Sequence, residues 1–153
     1  MKLAKRNNGA SHEFLIQRRT SYGPYMPVVE VDLSYGGKQS TISQQFLVDT
    51  GASKNFIPHY LVQNLIGEIK KDEMSNTGCV GVNGQPIFGK KVTFGVQFRN
   101  TKLPELDLDF WLIRDSKMAL LGQDAFFFNF GIEMQNIGIW KDGERKLKIF
   151  YPG

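Results

Sequence analysis

The sequence predicts a mainly β domain with one short helix near its C-terminus. Several short segments alternate between apolar and polar residues, which is the period of a β-strand. Turn signals rich in glycine separate these segments, and 12 of the 153 residues are Phe, which suits a strand-rich core. A chain of this length is expected to build a single core.

The first strands follow Pro27. The segment VVEVDLSY (28–35) alternates as a strand, GGK turns the chain, and TISQQFLV (41–48) returns as its partner. The segment IPHYLVQNL (57–65) has apolar residues at helical spacing behind Pro58, and it predicts one or two helical turns.

The second half of the chain continues the pattern. Asn83-Gly84 is the strongest two-residue hairpin signal, and it predicts a hairpin over 78–89. Strands are expected over 91–98 and 106–113, with Asp107 and Asp109 on the outward face. A short apolar strand then passes through Gly122 into the predicted C-terminal helix, which ends by residue 130. The tail is predicted to pair 137–140 with 145–151 as a hairpin.

The N-terminal residues lack such a pattern. Residues 1–25 are polar and basic, and we expect a flexible arm there, with the folded domain over 26–153. A solvated tail explains the arm better than RNA binding does. A nucleic-acid-binding β-barrel is an alternative, but its only support is the positive net charge. That charge is small, at +4.

The composition limits which kinds of site and which cellular compartments fit this chain. The single cysteine, Cys79, excludes an intrachain disulfide framework and fits a reducing compartment. One cysteine and two histidines argue against a zinc site, and their scatter argues against a Cys–His nucleophile. No cofactor is expected. No apolar run is long enough to span a bilayer, and residues 1–20 have no apolar core of a secretory signal.

The segment FLVDTGAS (46–53) delivers an acid from an apolar strand into a turn. Burying an acid is costly unless another group satisfies it or a reaction uses it. The plain alternative is an Asx-turn that stabilises a loop. The segment ALLGQDAF (119–126) echoes it, because it also runs an apolar strand into a glycine turn. The echo suggests two similar halves related by a local pseudo-twofold.

These residues resemble the active-site signature of the retropepsin-like aspartic proteases, the single-lobed proteases of retroviruses and retrotransposons. The resemblance rests on D-T-G-A-S at Asp49, on Leu120-Leu121-Gly122, and on the hairpin 78–89 in the place of the family's flap. It implies a closed β-barrel or sandwich with one lobe per chain. It also implies that Asp49, Thr50 and Gly51 are catalytic.

The chemistry needs two carboxylates. One deprotonates a water molecule and the other protonates the carbonyl oxygen, so the pair shares one proton; the aspartic-protease dyad is the general example of this arrangement. Only one D-[ST]-G occurs in this sequence, so the second Asp49 is expected from another copy of the chain. The active form is therefore expected to be a homodimer, with a rate that peaks at acidic to mildly acidic pH.

The resemblance also implies how a peptide substrate is held. An extended peptide would lie between the floor and the flap as an added strand. Gly122 is expected to be a structural turn. The expected substrate-binding residues are Leu47, Ala52, Ser53, Gly81, Val82, Met118 and Leu120.

Two departures from the viral members stand out. Those carry an acid two residues beyond the motif glycine and an arginine directly after the apolar-apolar-Gly triplet. Ser53 and Gln123 stand at these positions here, so a neutral hydrogen bond is expected between them. The long N-terminal arm and terminal hairpin also indicate a dimer interface of different build.

The function that the resemblance implies is an aspartic endopeptidase that processes a retroelement-type polyprotein, including itself. It would act in the cytoplasm or within a virus-like particle. The alternative is a catalytically silent module of the same fold that dimerises or binds peptides.

Overall fold

The computed structural model describes residues 9–16, 26–39, 43–114, 116–135 and 145–152. Strands dominate the described chain. They are β1 (Ala10–Leu15), β2 (Val28–Tyr35), β3 (Lys38–Gln39), β4 (Gln44–Val48), β5 (Phe56–Pro58), β6 (Ser75–Val80), β7 (Pro86–Phe98), β8 (Leu106–Ile113), β9 (Ala119–Leu121), β10 (Gly131–Gln135) and β11 (Lys146–Tyr151). The helices are α1 (His59–Ile66) and the short α2 (Gln123–Phe127), which is wound as a π-helix. A single 3-10 turn spans Lys71–Glu73.

Six strands close into a barrel. Their order is β2-β4-β9-β5-β8-β7, and β7 pairs back to β2. Two neighbouring pairs, β4 with β9 and β5 with β8, are parallel, and the other pairs are antiparallel. The predicted fold class is therefore confirmed: a mainly β, closed barrel of one lobe with a short helix near the C-terminus.

The alternating segments became strands because one face of each lies in the core. In β2, Val29, Val31 and Leu33 are buried while Glu30 is exposed. In β8, Asp107 and Asp109 lie on the exposed face, as predicted, and Leu108 and Phe110 are buried. Each inward Val or Leu contributes about 1.5–3 kcal/mol through burial.

Phenylalanine rings fill the barrel and join it to α2. Phe94 and Phe110 make an edge contact at 5.7 Å between ring centroids. At the other end, Phe98 contacts Phe126 at 6.0 Å and Phe130 at 5.4 Å. Such contacts contribute about 0.5–1.5 kcal/mol beyond the area they bury. The helix after Gly122 is thereby anchored in the core.

The helix predicted behind Pro58 is α1, which begins at His59. Phe56–Pro58 forms β5 and pairs in parallel with β8, with Phe56 opposite Trp111. Helix α1 ends at Gly67, whose φ of 78° suits glycine. The pairing of β5 with β8 joins residues far apart in the chain, so a local pattern does not reveal it.

A second sheet has the order β1-β11-β10. Its inner face packs on the barrel through Leu147 and Ile149, which are buried, and Phe14 lies 6.4 Å from Phe98 between ring centroids. Glu13 pairs with Lys146 at 3.1 Å across the sheet.

Strand β1 corrects the predicted flexible arm. Residues 10–15 pair along their length with β11, and Ile16 is buried. The partner lies at the far end of the chain, so nothing near these residues indicates the pairing. The other residues predicted as arm are outside the described chain, except Gly9, and the domain boundary at residue 26 stays a prediction.

The predicted tail hairpin is described only in part. Residues 137–140 lie outside the described chain, whereas β11 covers most of 145–151. The described partners of β11 are β1 and β10.

Candidate active site

The floor of the site is the pair of parallel strands β4 and β9. Leu47 lies opposite Leu120 and Val48 opposite Leu121, so the two strands end side by side. The chain then turns at Asp49 on one strand and at Gly122 on the other. The two segments that echo each other in sequence are therefore neighbours in space.

Asp49 is half-buried at the end of β4. Its backbone N–H donates to the carbonyl of Leu121 at 3.0 Å, and its Oδ1 accepts the N–H of Gly51 at 2.9 Å. A Cβ on Gly51 would lie 3.2 Å from that same oxygen, so a glycine here keeps the carboxylate unobstructed. Gly51 does not have a positive φ, and the reason for glycine is space.

Hydrogen bonds join the two turns. The N–H groups of Gln123 and Asp124 donate to the carbonyls of Ala52 and Ser53, each at 2.9 Å. The Gln123 side chain donates through Nε2 to the carbonyl of Thr50 at 2.6 Å. These bonds hold the Asp49 turn along most of its length.

Gly122 is where the two turns come closest. A Cβ there would lie 2.3 Å from the carbonyl oxygen of Lys54 and 2.7 Å from that of Ala52. Its φ of −118° is accessible to any residue, so lack of space is what requires glycine. Gly122 thus lies where the structural turn was predicted.

The prediction of a neutral hydrogen bond between the Ser53 and Gln123 side chains is wrong. The Ser53 hydroxyl contacts Cys79 instead, and Gln123 reaches Thr50. One residue further along each turn, Lys54 Nζ pairs with Asp124 Oδ2 at 2.7 Å. The chain therefore has an ion pair between the turns, with the base on the Asp49 turn and the acid after Gly122.

This ion pair shifts the pKa values of both side chains. The bond from Lys54 lowers the pKa of the Asp124 carboxyl, and the bond to Asp124 raises the pKa of Lys54. The Lys54 side chain is 28% exposed and that of Asp124 66% exposed, so water screens the interaction. An open cleft lies beside the pair, lined by Ser53, Lys54, Gln123, Asp124, Phe127 and Phe128.

The predicted hairpin is formed by β6 and the start of β7. Gly81 N–H donates to the carbonyl of Gln85 and Gly84 N–H to that of Gly81, and Gly84 has a φ of 79°. Val82, at the tip, is fully exposed. The hairpin meets the Asp49 turn through Cys79, whose Sγ lies 3.1 Å from Ser53 Oγ.

The remaining predicted substrate residues lie on the floor. Leu47 and Leu120 are both half-buried and adjacent, and Met118, just before β9, is 37% exposed. Ala52 is half-buried in the Asp49 turn. The structure thus gathers Leu47, Leu120 and the 49–53 turn, whereas the tip residues Gly81 and Val82 are connected to them only through the hairpin.

Sequence reasoning missed Asn55. Its side chain is buried, accepts the N–H of Gly122 at 2.8 Å through Oδ1, and donates to the carbonyl of Asp109 at 3.2 Å. The available signal is weak: a polar residue directly before the apolar strand β5. The Lys54–Asp124 pair was also missed, although its charges stand next to the two positions singled out as departures.

Two features are absent from the described residues. Among them, no three His, Cys, Asp or Glu side chains come together in a way that could hold a metal ion. None of their helices has the length and apolar character needed to cross a bilayer.

Comparison with solved structures identifies a similar fold. A retropepsin-like aspartic protease from Rickettsia conorii matches with a TM-score of 0.52 and 17% identity, and the match covers 94% of each chain. The chain has the retropepsin-like fold. No protein-family model and no curated protein matches the sequence. The likeness in fold thus extends over nearly the whole of both chains, although their sequence identity is low.

Proposed function

We propose that this protein is an aspartic endopeptidase that is active as a homodimer. The observation that carries the proposal is the placement of Asp49, half-buried at the end of a floor strand in a turn held by hydrogen bonds. A carboxylate presented in this way is fixed in position and remains reachable. It can therefore act on a bound water molecule.

The two copies of Asp49 would divide the reaction between them. One carboxylate takes a proton from water as the water attacks the scissile carbonyl carbon, and the protonated partner donates to the carbonyl oxygen. Collapse of the tetrahedral intermediate then breaks the C–N bond: the first carboxyl gives the proton it took from water to the leaving amine, and a hydroxyl of the intermediate returns a proton to the second carboxylate. Close like charges favour the singly protonated pair, so the rate should be greatest at acidic to mildly acidic pH.

The same arrangement suggests where a peptide lies. Leu47 and Leu120 offer apolar floor positions near Asp49, and the hairpin closes over the cleft from the Ser53 side. Hydrophobic or aromatic side chains beside the cut bond are expected. Thr50 would brace one turn against its partner across the dimer axis.

We further propose the processing of a retroelement-type polyprotein, including self-cleavage, in the cytoplasm or within a virus-like particle. This role rests on the D-T-G-A-S motif and its resemblance to retrotransposon proteases. Expression of a longer precursor with intact or altered Asp49 would test it, since self-processing should depend on that carboxyl.

Asp49→Asn is the decisive variant, because it keeps the shape of the side chain and removes the ionisable group. We expect wild type to cleave a peptide library at about pH 5, and the variant to be at least about 1,000-fold slower. Sedimentation should show dimers for both chains. Activity per chain should fall on dilution below the dimer dissociation constant.

Each contrary result has a distinct meaning. Equal cleavage by both chains would remove Asp49 from the mechanism. A dimer without activity at high concentration would favour the silent dimerisation or peptide-binding module. Salt-sensitive binding of nucleic acid that survives deletion of residues 1–8 would favour the nucleic-acid-binding alternative.

A further inference from the structure

The buried Asn55 amide connects three elements of the barrel. The residue is 1% exposed and lies directly before β5. Its Oδ1 accepts the N–H of Gly122, its Nδ2 donates to the carbonyl of Asp109 on β8, and its own carbonyl accepts the N–H of Trp111 at 2.9 Å. A buried amide bonded through both ends fixes the distance between the groups that it joins.

The hydrogen bond from Gly122 to Asn55 matters because both sequence neighbours of Gly122 bond to the Asp49 turn. Leu121, one residue before, accepts the N–H of Asp49, and Gln123, one residue after, binds Ala52 and Thr50. The turn at Gly122 therefore holds the Asp49 turn from both sides. Asn55, in turn, holds Gly122 at a point where no room remains for a Cβ.

We propose that Asn55 is a positioning residue of the active site. It anchors the Gly122 turn to β8 and thereby sets the position of the Asp49 carboxylate relative to its twin in the partner copy. This inference deepens the proposed function and rests on it. An error of about 1 Å in such a position can cost about 100-fold in rate, although Asn55 has no contact with the reacting atoms.

Three variants separate positioning from mere folding. Asn55→Asp keeps the size and the acceptor for Gly122 but, when ionised, loses the donor for Asp109. Asn55→Thr replaces the amide by one hydroxyl on a shorter side chain, and that single atom cannot occupy the positions of both Oδ1 and Nδ2. Asn64→Asp on the exposed face of α1 makes the same chemical change away from the site.

Amide hydrogen exchange tests the geometry without any activity assay. In the folded dimer of Asn55→Thr, the N–H of Gly122 should exchange about 10- to 100-fold faster than in wild type. The backbone N–H of Asp49 should also exchange faster. In Asn55→Thr, the amides of β7 should exchange at the wild-type rate. In Asn64→Asp, the amides of Gly122 and Asp49 should also exchange at the wild-type rate. Unaltered protection at Gly122 would overturn the proposal, whatever the protein cleaves.

Kinetics tests the consequence. We expect the kcat of Asn55→Thr to fall about 30- to 100-fold while KM stays within about twofold of wild type, because the loss concerns the placement of the acids. A rise in KM with kcat unchanged would place Asn55 in substrate binding instead. Wild-type kcat would refute the positioning role.

The pH profile of Asn55→Asp supplies a readout that a purely structural role would not move. Burial raises the pKa of a carboxyl above its ordinary value of about 3.9. The protonated acid can donate to Asp109 and accept from Gly122, so both bonds return at low pH. The rate relative to wild type should therefore fall about tenfold or more between about pH 4 and pH 7.

The rate of Asn55→Asp divided by the wild-type rate at the same pH reports the titration of the new carboxyl alone. The other nearby titratable groups are present in both proteins: Asp49, Lys54, Asp109 and Asp124. A flat ratio would contradict the proposal. If Asn55→Asp does not fold at neutral pH, Asn55→Thr decides by exchange and kcat. If wild type cleaves nothing, the proposed function fails, but the exchange result still tests the anchoring of Gly122.

Discussion

The two glycine turns of the floor and the hairpin above them are made of similar residues but are held very differently. The Asp49 and Gly122 turns bond to each other, and the Gly122 turn also bonds to Asn55. The hairpin tip bonds mainly within itself, from Gly81 to Gln85 and from Gly84 to Gly81, and Val82 is fully exposed. The Asp49 turn is therefore held by several neighbouring groups, whereas the tip of the hairpin is held mainly by its own turn.

Glycine serves a different purpose in each region. At Gly122 it is required because carbonyl oxygens leave no room for a Cβ. At Gly84 space is open, and the φ of 79° is what favours glycine over most other residues. Substitutions at these positions should therefore separate the two regions.

The largest effect is expected from Gly122→Ala. Its new methyl group would press on the carbonyls of Lys54 and Ala52, and these belong to backbone that other bonds hold in place. We expect a loss of about 3 kcal/mol or more in the free energy of unfolding, measured by urea denaturation.

Gly81→Ala is the matched control on the hairpin. A Cβ there meets the flexible Asn83 side chain at 3.1 Å, so the stability should change by less than about 0.5 kcal/mol. Equal losses in the two variants would mean that the floor is no more constrained than the hairpin.

A middle effect is expected from Gly84→Ala. The substitution forces a residue with a Cβ into a left-handed turn, which costs about 1 kcal/mol. Gly84→Asn should cost less, since Asn tolerates this conformation. Denaturation curves of the two variants give the comparison, and an Asn variant less stable than the Ala variant would contradict this account of the turn.

The smallest effect is expected from Lys54→Met, which removes the ion pair between the turns. Water screens the pair, so the loss at neutral pH should be below about 1 kcal/mol. Asp124 has a lowered pKa in the folded state, so its contribution is present above the unfolded pKa of about 3.9 and is lost as the pH falls through the folded value. Lys54 has a raised pKa, so its contribution is lost only as the pH rises above about 10.4.

The difference in stability between wild type and Lys54→Met should therefore begin to shrink as the pH falls below about 4, should vanish below the lowered pKa of Asp124, and should vanish again at strongly alkaline pH. Thermal melting across this range is the measurement. A difference that persists at low pH would show that the lysine acts through the packing of its stem. Asp124→Asn serves to close a double-mutant cycle.

The strands with one buried face could be read from the sequence. Alternation predicted the bounds of β2 and β8, and Asn83-Gly84 predicted the hairpin, because strand period and turn chemistry are local properties. The D-T-G-A-S motif and Leu120-Leu121-Gly122 led to the two turns that the fold places side by side. Long-range pairing accounts for the failures.

Strand β1 is visible only beside β11, and β5 is visible only through its parallel pairing with β8. The partners of Ser53 and Gln123 likewise depended on which atoms the two turns brought within reach. No local pattern specifies these choices, because each depends on residues far away along the chain.

By itself, the sequence determined which segments alternate, where the chain turns, and that an acid follows an apolar strand. Only the tertiary structure decided that the Gly122 turn would lie against the Asp49 turn, that Lys54 and Asp124 would pair, and that Asn55 would be buried between β8 and Gly122. The physical reason is that strand period and turn geometry depend on neighbouring residues. The partner of a buried polar group is set instead by how the whole barrel closes.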